Sequence, residues 1–389
     1  MEAFFVLPLS AQTTAIQLPS ADSSSSFRVS DNTGAVVARV NGDGGFFLKG
    51  VYGSGVMPAS GAGTRMVWSP RRAAFRAGQA AATEWDDSTI GAWSVAFGYG
   101  TRASGPNSAA IGDETQATGP ASFAIGSYTI AGAQNSLAAG QFSSVTGLNS
   151  LAFGTSASAS GGSCVALGNS VESSGASTMA FGDHVVASGN WSTAMGTTVS
   201  SNGKTGACII GDSYAPTPTT SSADNEMTMR FAGGYRLFTA YALTGVSLSA
   251  GATSWSTVSD STKKTNFLTT NGEYFLSSLS HLKLGSWNYK IQDQKTFRHY
   301  GPMAQEIFHY FGKDQLGTIG NDTTLASADM DGIMMVCLQA LEKRTSELQK
   351  AQEKICALET SLNKLSAVVQ ALVDERKKVC LNAVERKEQ

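Results

Sequence analysis

The chain has few charged residues, few cysteines and no long apolar run. Charged side chains make up 15% of its 389 residues, and 28 Lys and Arg nearly balance 30 Asp and Glu. A net charge of −2 leaves no basic excess for phosphates, so we expect no nucleic-acid partner. Five scattered cysteines without a C-x-x-C pair exclude a disulfide framework and a zinc ribbon. No apolar stretch is long enough for a transmembrane helix, so no integral membrane anchor is expected.

The charges are unevenly distributed along the chain. Only seven lie between Trp93 and Asp212, whereas nearly every third residue after Ala340 is charged. A shift of this size within one chain indicates separate architectures rather than one globular domain.

Residues 93–212 form a repeat with a period of 14. A glycine recurs at the same place in each unit, with an alanine two residues before it and usually a serine two residues before that. These glycines are Gly98, Gly112, Gly126, Gly140, Gly154, Gly168, Gly182 and Gly196. Each unit contains two short alternating runs separated by glycine turns, which predicts one coil of a β-solenoid with coils stacked in parallel. The strict register disfavours the alternative of a disordered or silk-like segment.

The alternation gives each solenoid strand two unlike faces. Small residues such as Ser94 and Ala96 share one face, and large apolar residues such as Val95 and Phe97 share the other. A thin coil cannot cover both faces by itself, and a strand that is apolar on both sides needs cover on both sides. We therefore expect another copy of the same chain to supply the missing cover.

These units resemble a known repeat. Sequences such as NSAAIGDETQATGP (Asn107 to Pro120) are similar to the YadA-like head repeats of trimeric autotransporter adhesins. The resemblance implies a left-handed parallel β-roll, with three rolls packed into one head. The C-terminal membrane barrel of those adhesins is missing, so we do not expect an autotransporter.

The segments that flank the repeat also have strand patterns. Residues 20–92 and residues 213–258 resemble, more weakly, the trimeric β-collars of phage tail fibres, the second as a linker and β-stalk. Residues 1–19 contain the apolar run AFFVLPL. This run has two interpretations, the end of a removed secretory signal or a buried strand.

Residues 334–389 carry a heptad pattern. The a positions are Met334, Leu341, Leu348, Ile355, Leu362 and Val369, and the d positions are Cys337, Arg344, Ala351, Leu358, Leu365 and Leu372. This pattern predicts a long coiled-coil helix. Leucine at both a and d positions does not choose between two and three strands, so a trimeric coiled coil is what the family resemblances imply. Cys337 would bring three thiols to one axis, although a packed core thiol is the favoured interpretation. The preceding D-M-D-G run lacks an acidic twelfth residue, so it predicts a helix cap and no calcium site. We expect no metal and no cofactor.

Residues 259–333 carry the chemistry. In order, the chain shows V-S-D-S-T-K-K from Val258, L-G-S-W-N-Y-K and R-H-Y-G-P-M-A-Q, followed by the heptads. This set resembles the intramolecular chaperone domain of phage endosialidases, tailspikes and tail fibres, which assembles a trimer and then cuts itself off. The resemblance implies Ser259 as nucleophile, Lys264 as its base, Val258–Ser259 as the cut bond and His299 as an auxiliary group.

The residue types suit this reaction. A serine hydroxyl is a weak nucleophile until a base removes its proton, and a lysine accepts a proton only when neutral, which burial in a folded trimer favours. Residues five apart do not share a helix face, so Ser259 and Lys264 need a turn or a lysine from a neighbouring chain. The chain departs from many family members by having Ser261 and Thr262 where they have an Arg.

The sequence therefore predicts a mainly β, homotrimeric fibre or adhesin-like protein with an α+β chaperone domain at its C-terminal end. We expect an extracellular location, on a cell surface or a virion fibre, and a self-processing serine endopeptidase that turns over once. A host-surface glycan or receptor is the expected external partner. Two alternatives stay open: a static fibre whose chaperone domain is never cut, and a glycan-active tailspike enzyme, which the scattered acidic residues disfavour.

Overall fold

The structure is a computed structural model that describes residues 17–214, 217–240 and 244–385. The chain divides into two compact units, residues 1–235 with 249–253 and residues 236–248 with 254–389. Most of the segment interpreted as a signal or strand, residues 1–16, lies outside the described residues.

The first unit begins with two small antiparallel arrangements. Strands β1 (Ser26–Ser30), β2 (Val36–Asn41) and β3 (Phe46–Leu48) form a meander, in which β2 pairs with both neighbours. The Asp31 carboxylate accepts hydrogen bonds from the Thr33 amide and hydroxyl at the first turn. Strands β4 (Gly63–Ser69) and β5 (Ala74–Ala80) form a hairpin through a 3₁₀ turn, Pro70–Arg72.

A β-solenoid of about eight turns follows between residues 95 and 211. Long and short strands alternate in the order β6 (Val95–Tyr99), β7 (Arg102–Ala103), β8 (Ala109–Asp113), β9 (Gln116–Ala117), β10 (Phe123–Ser127), β11 (Ile130–Ala131), β12 (Leu137–Gln141), β13 (Ser144–Val145), β14 (Leu151–Thr155), β15 (Ser158–Ala159), β16 (Val165–Asn169) and β17 (Glu172–Ser173). The longer strands β18 (Met179–Ala187) and β19 (Thr193–Ser200) follow, and then β20 (Cys208–Gly211). Two strands, β21 (Thr219–Thr220) and β22 (Met227–Arg230), pair onto its C-terminal end.

The coils stack in parallel with each alanine of the repeat opposite the alanine of the next coil, as Ala96 pairs with Ala110. The alanine column is fully buried and fills the inside of the roll: Ala96, Ala110, Ala124, Ala138, Ala152, Ala166, Ala180 and Ala194. The serine of the repeat also points inward, and the Ser108 hydroxyl donates to the Gly105 carbonyl at 2.6 Å. The prediction of a mainly β fold with a stacked solenoid and a C-terminal helix is confirmed.

The outward face of the long strands stays uncovered in the single chain. Val95 and Phe97 are half-buried, and Phe153 in the column of Phe97 is 57% exposed. The apolar face predicted from the alternation is therefore present along the roll, and nothing in the described part of the chain lies over it completely.

The N-terminal end of the roll is filled by two large side chains. Arg76 on β5 pairs with Ala96, so its side chain enters the roll at the place of an alanine. Its guanidinium donates to the Ser94 and Ala103 carbonyls at 2.8 and 3.0 Å, and burial lowers the Arg76 pKa to about 10. The Trp85 indole, fully buried, donates to the Thr101 carbonyl at 2.8 Å.

A column of threonines inside the first coils leaves hydroxyls without partners. Thr101, Thr115 and Thr129 are fully buried, and their hydroxyls find no hydrogen-bond partner among the described residues. Three later coils place valine at the same repeat position: Val171, Val185 and Val199. The interior therefore accepts a branched side chain of this size without a hydroxyl.

We expect Thr115→Val to stabilise the roll by about 1–2 kcal/mol, because it removes a buried hydroxyl that lacks a partner. The measurement is the shift of the unfolding midpoint by circular dichroism at a fixed heating rate. Thr155→Val on the exposed surface is the control and is expected to move the midpoint little. A lower midpoint for Thr115→Val would show that the hydroxyl binds a trapped water.

The described residues of the second unit form two small sheets and three α-helices. Strands β23 (Gly234–Ala240), β24 (Thr244–Ser249) and β25 (Ser256–Thr257) form one sheet. They are followed by helix α1 (Gly272–Ser280), a two-stranded sheet of β26 (Gly285–Trp287) and β27 (His299–Gly301), helix α2 (Ala304–Phe311) and helix α3 (Ser327–Glu385). Helices α1 and α2 meet through the Phe275 and Phe311 rings, whose centroids lie 5.1 Å apart.

Candidate functional site

A single turn brings Ser259 and Lys264 together. Asp260 begins a 3₁₀ turn over Ser261–Lys263, and its carboxylate accepts from the Thr262 amide at 2.9 Å and the Thr262 hydroxyl at 2.8 Å. The chain leaves the turn in an extended conformation at Lys264, whose Nζ donates to the Ser259 Oγ at 2.7 Å. The spacing of five residues is therefore bridged by a turn within one chain.

The predicted cut lies where a sheet ends and this turn begins. Strand β25 pairs antiparallel with β24, with Thr257 opposite Val246, and the Val258 amide still donates to the Gly245 carbonyl at 3.3 Å. Ser259 is the first residue beyond this pairing. The peptide bond between Val258 and Ser259 thus has a hydrogen-bonded residue on its N-terminal side and a serine hydroxyl on its C-terminal side.

The electrostatic surroundings of the turn are simple. Hydrogen bonds from the Thr262 amide, and then from its hydroxyl, hold the Asp260 pKa below its ordinary value, so this carboxylate is charged at neutral pH. Ser259 and Lys264 are both exposed in the single chain. The pair has hydrogen-bond contact for a proton transfer, but it lacks the burial that favours a neutral lysine.

His299 lies in a cluster of its own. Its ring stacks on Trp287 at 4.8 Å, and its Nε2 is 3.1 Å from the Gln292 side-chain oxygen. The hydrogen bonds and ring contacts of His299 within the described residues include neither Ser259 nor Lys264. The geometry of the chain therefore places two of the three predicted site residues in contact and leaves the third apart.

Asp260 is a residue of this turn that was not predicted from the sequence to have a role. Its carboxylate shapes the turn that brings the lysine back to the serine. The local sequence could have indicated this turn, because Asp followed two residues later by Thr is a common pattern for a side chain that caps a tight turn.

Helices α1 and α3 pack against each other. Asn271 caps α1 by accepting from the Glu273 amide at 3.1 Å, and Gly272 lies so close to Ala340 that an added Cβ would come within 2.7 Å of its methyl group. Glu273 forms an ion pair with Arg344, with the Arg344 Nε donating to a carboxylate oxygen at 2.9 Å.

Most apolar heptad positions of α3 are uncovered. The exposed ones include Met334, Leu341, Leu348, Ile355, Leu358, Leu362, Leu365, Val369 and Leu372. Cys337 is the exception, because it is buried within the single chain. Among the described residues, no group of three or more His, Cys, Asp or Glu side chains is arranged to hold a metal ion, and no helix is long and apolar enough to cross a membrane.

Two family models match the chain, in the order that the resemblance predicts. The model described as YadA head domain repeat matches residues 91–115, 103–129, 131–157 and 146–170. The model described as chaperone of endosialidase matches residues 259–313. A search among curated proteins finds no match to this chain. The suspected combination of head repeats and a C-terminal chaperone domain is thus confirmed, and it indicates an adhesin-like fibre with a domain for trimer assembly.

Proposed function

We propose that this chain is a fibre protein of a cell surface or virion that assembles as a homotrimer and then cuts itself between Val258 and Ser259. The single observation that carries the cut is the 2.7 Å hydrogen bond between the Lys264 Nζ and the Ser259 Oγ at the end of a sheet. The trimer is supported by two uncovered apolar surfaces, the outward face of the roll and the heptad positions of α3. The head then presents a surface to a host glycan or receptor.

The cut proceeds through an ester in this proposal. Neutral Lys264 takes the hydroxyl proton of Ser259 while the Ser259 Oγ forms a bond to the Val258 carbonyl carbon. The same lysine then gives this proton to the Ser259 nitrogen as the C–N bond between Val258 and Ser259 breaks. Water then hydrolyses the ester, which leaves a carboxylate on Val258 and restores the Ser259 hydroxyl. Each chain reacts once.

Assembly and cutting are linked by the exposure of the pair. Ser259 and Lys264 are exposed to water in the single chain, and a lysine side chain accepts a proton only as the neutral amine, which removal of water favours. Neighbouring chains that cover the turn would remove this water and favour the amine. The cut therefore follows correct trimerisation.

A permanent clamp is the second candidate function. Ser261 and Thr262 stand where many related chaperone domains have an Arg, so the chaperone domain of this chain could drive assembly and stay attached. In that case Ser259 and Lys264 would be structural residues of the turn.

Denaturing mass spectrometry of the freshly expressed chain separates the two candidates. We expect a piece ending at Val258 and a piece beginning at Ser259, with an unboiled gel showing a trimer of the larger piece. An intact 389-residue trimer would establish the clamp. The control is Ser259→Ala, which should remain whole and trimeric, and a cut in this variant would exclude Ser259 as the nucleophile.

A further inference from the structure

Two exposed aromatic rings stack on one corner of the roll. Tyr128 lies in the turn between β10 and β11, and Phe142 lies in the equivalent turn of the next coil, between β12 and β13. Their ring centroids are 5.3 Å apart with 21° between the ring planes, and the two residues are 51% and 53% exposed. Ile130 on β11 is also exposed and completes this aromatic corner. The aromatic corner lies outside the long strands, whose outward face is the surface proposed to contact other copies.

The fold does not require aromatic residues in these turns. Tyr128 and Phe142 both have φ of +55°, in the left-handed region that bulky side chains rarely adopt. The equivalent turn of other coils has the smaller residues Gly100, Ser156 and Ser170, also at positive φ. Because both aromatic residues are half exposed, burial offsets little of this backbone strain. Strained residues that packing does not explain concentrate at binding sites.

The stack is open on the side of the following coils. The next two turns place only the small, exposed side chains of Ser156 and Ser170 there, and neighbouring coils are separated by about 4.8 Å. The face of the Phe142 ring that is turned away from Tyr128 therefore borders a space as deep as one further ring. This space is flanked by the exposed side chain of Thr155, which pairs with Gln141.

The charges near the aromatic corner have one sign. From residue 103 to residue 171 the charged side chains are Asp113 and Glu114, both acidic. Asp113 lies beside the stack, because its carboxylate accepts a hydrogen bond from the Ser127 hydroxyl at 3.4 Å. A ligand with carboxylate or sulfate groups would meet like charge here and no cation to pair with. These residues fit an uncharged group that has one apolar face and several hydroxyls.

We propose that the aromatic corner binds neutral pyranose units of a glycan, with the C–H face of one sugar on the Phe142 ring. The negative face of an aromatic ring attracts the polarised C–H groups of a pyranose, and the Gln141 and Thr155 side chains can bond to its hydroxyls. An exposed apolar patch with a polar rim is also typical of an interaction surface. This inference rests on the proposed surface fibre and names the class of its external partner.

Binding to printed glycans tests this assignment. The full chain is applied to an array of neutral oligosaccharides of glucose, galactose, mannose and N-acetylglucosamine, printed beside sialylated and sulfated forms of the same sugars. Phe142→Ser removes the ring and introduces the residue type of Ser156, and Phe142→Tyr keeps a ring. Trp191→Ser is the matched control, because Trp191 is an exposed aromatic residue with φ of +56° in a different turn, where the preceding coil has Ser177.

We expect the native chain and Phe142→Tyr to bind at least one neutral oligosaccharide, Phe142→Ser to bind it about tenfold more weakly, and Trp191→Ser to bind it as the native chain does. Binding to acidic glycans alone, equal losses in Phe142→Ser and Trp191→Ser, or loss in Phe142→Tyr would overturn the proposal.

Light scattering and mass spectrometry on the same samples separate this proposal from the proposed function. A cut, trimeric chain that binds none of the printed neutral glycans overturns this inference alone and leaves the fibre intact. A monomeric mass overturns the proposed homotrimer, whatever the array shows.

Discussion

Lys264→Ala is expected to abolish the cut between Val258 and Ser259 on the time scale of expression. The variant removes the side chain that donates to the Ser259 hydroxyl at 2.7 Å, and no other side chain among the described residues forms a hydrogen bond with it. Losing a positioned general base slows proton transfer about 10²–10⁴-fold. The measurement is the fraction of cut chain against time, by denaturing mass spectrometry, in samples confirmed to be trimeric.

Two further variants distinguish a base from a neighbouring charge. Lys263→Ala removes the adjacent cation, which acts on Asp260 in the structure, and should leave the cut intact. Lys264→Arg keeps a positive charge of similar reach, but an arginine stays protonated and cannot accept the proton. A chain that cuts with arginine at this position would show that Lys264 only orients Ser259.

Gly126→Ala is expected to destabilise the roll by about 3 kcal/mol or more. Gly126 has φ of +122°, a conformation that a residue with a Cβ rarely adopts, and the added Cβ would run into the Gly140 carbonyl of the next coil. Relief would require the stacked coils to move apart, which breaks the parallel pairing along β10 and β12. The measurement is the midpoint of thermal unfolding at one fixed heating rate, because such assemblies often unfold irreversibly.

Gly162→Ala is the matched control in the same roll. A Cβ at Gly162 meets nothing within 4 Å, and its φ is not in the positive range. We expect a change within about 0.5 kcal/mol. Equal losses in the two variants would show that the glycine column does not set the spacing of the coils.

The sequence predicts the roll well because its geometry repeats. Gly98 and Gly112 are 14 residues apart, and this spacing repeats along the chain. The pairing of each following coil, and the inward position of the alanine that corresponds to Ala96, can therefore be predicted from a single unit. The end of the roll has no such regularity. The Arg76 and Trp85 side chains bind backbone carbonyls 16–27 residues further along the chain. Every residue has such a carbonyl whatever its side chain, so the sequence does not indicate these contacts and only the folded structure shows them.

The candidate site was predictable in part for a similar reason. The spacing of Ser259 and Lys264 excludes a shared helix face, and the turn that replaces it depends on the local residues Asp260 and Thr262. The burial of Cys337 could not be predicted, because the heptad pattern alone does not show that the single chain covers this thiol. Burial of that thiol agrees with the favoured interpretation of a packed cysteine.

The hairpin at the start of the roll also closes β5 to further strands. A stack of parallel strands ends in a row of free backbone groups, and such an edge recruits further strands end to end. Here one edge of β5 pairs in parallel with β6 and the other is taken by β4 in the antiparallel sense. The Arg76 side chain fills the inside of the roll next to that hairpin. A further roll therefore finds no free edge of β5 to join, and the register of the repeat ends at this strand.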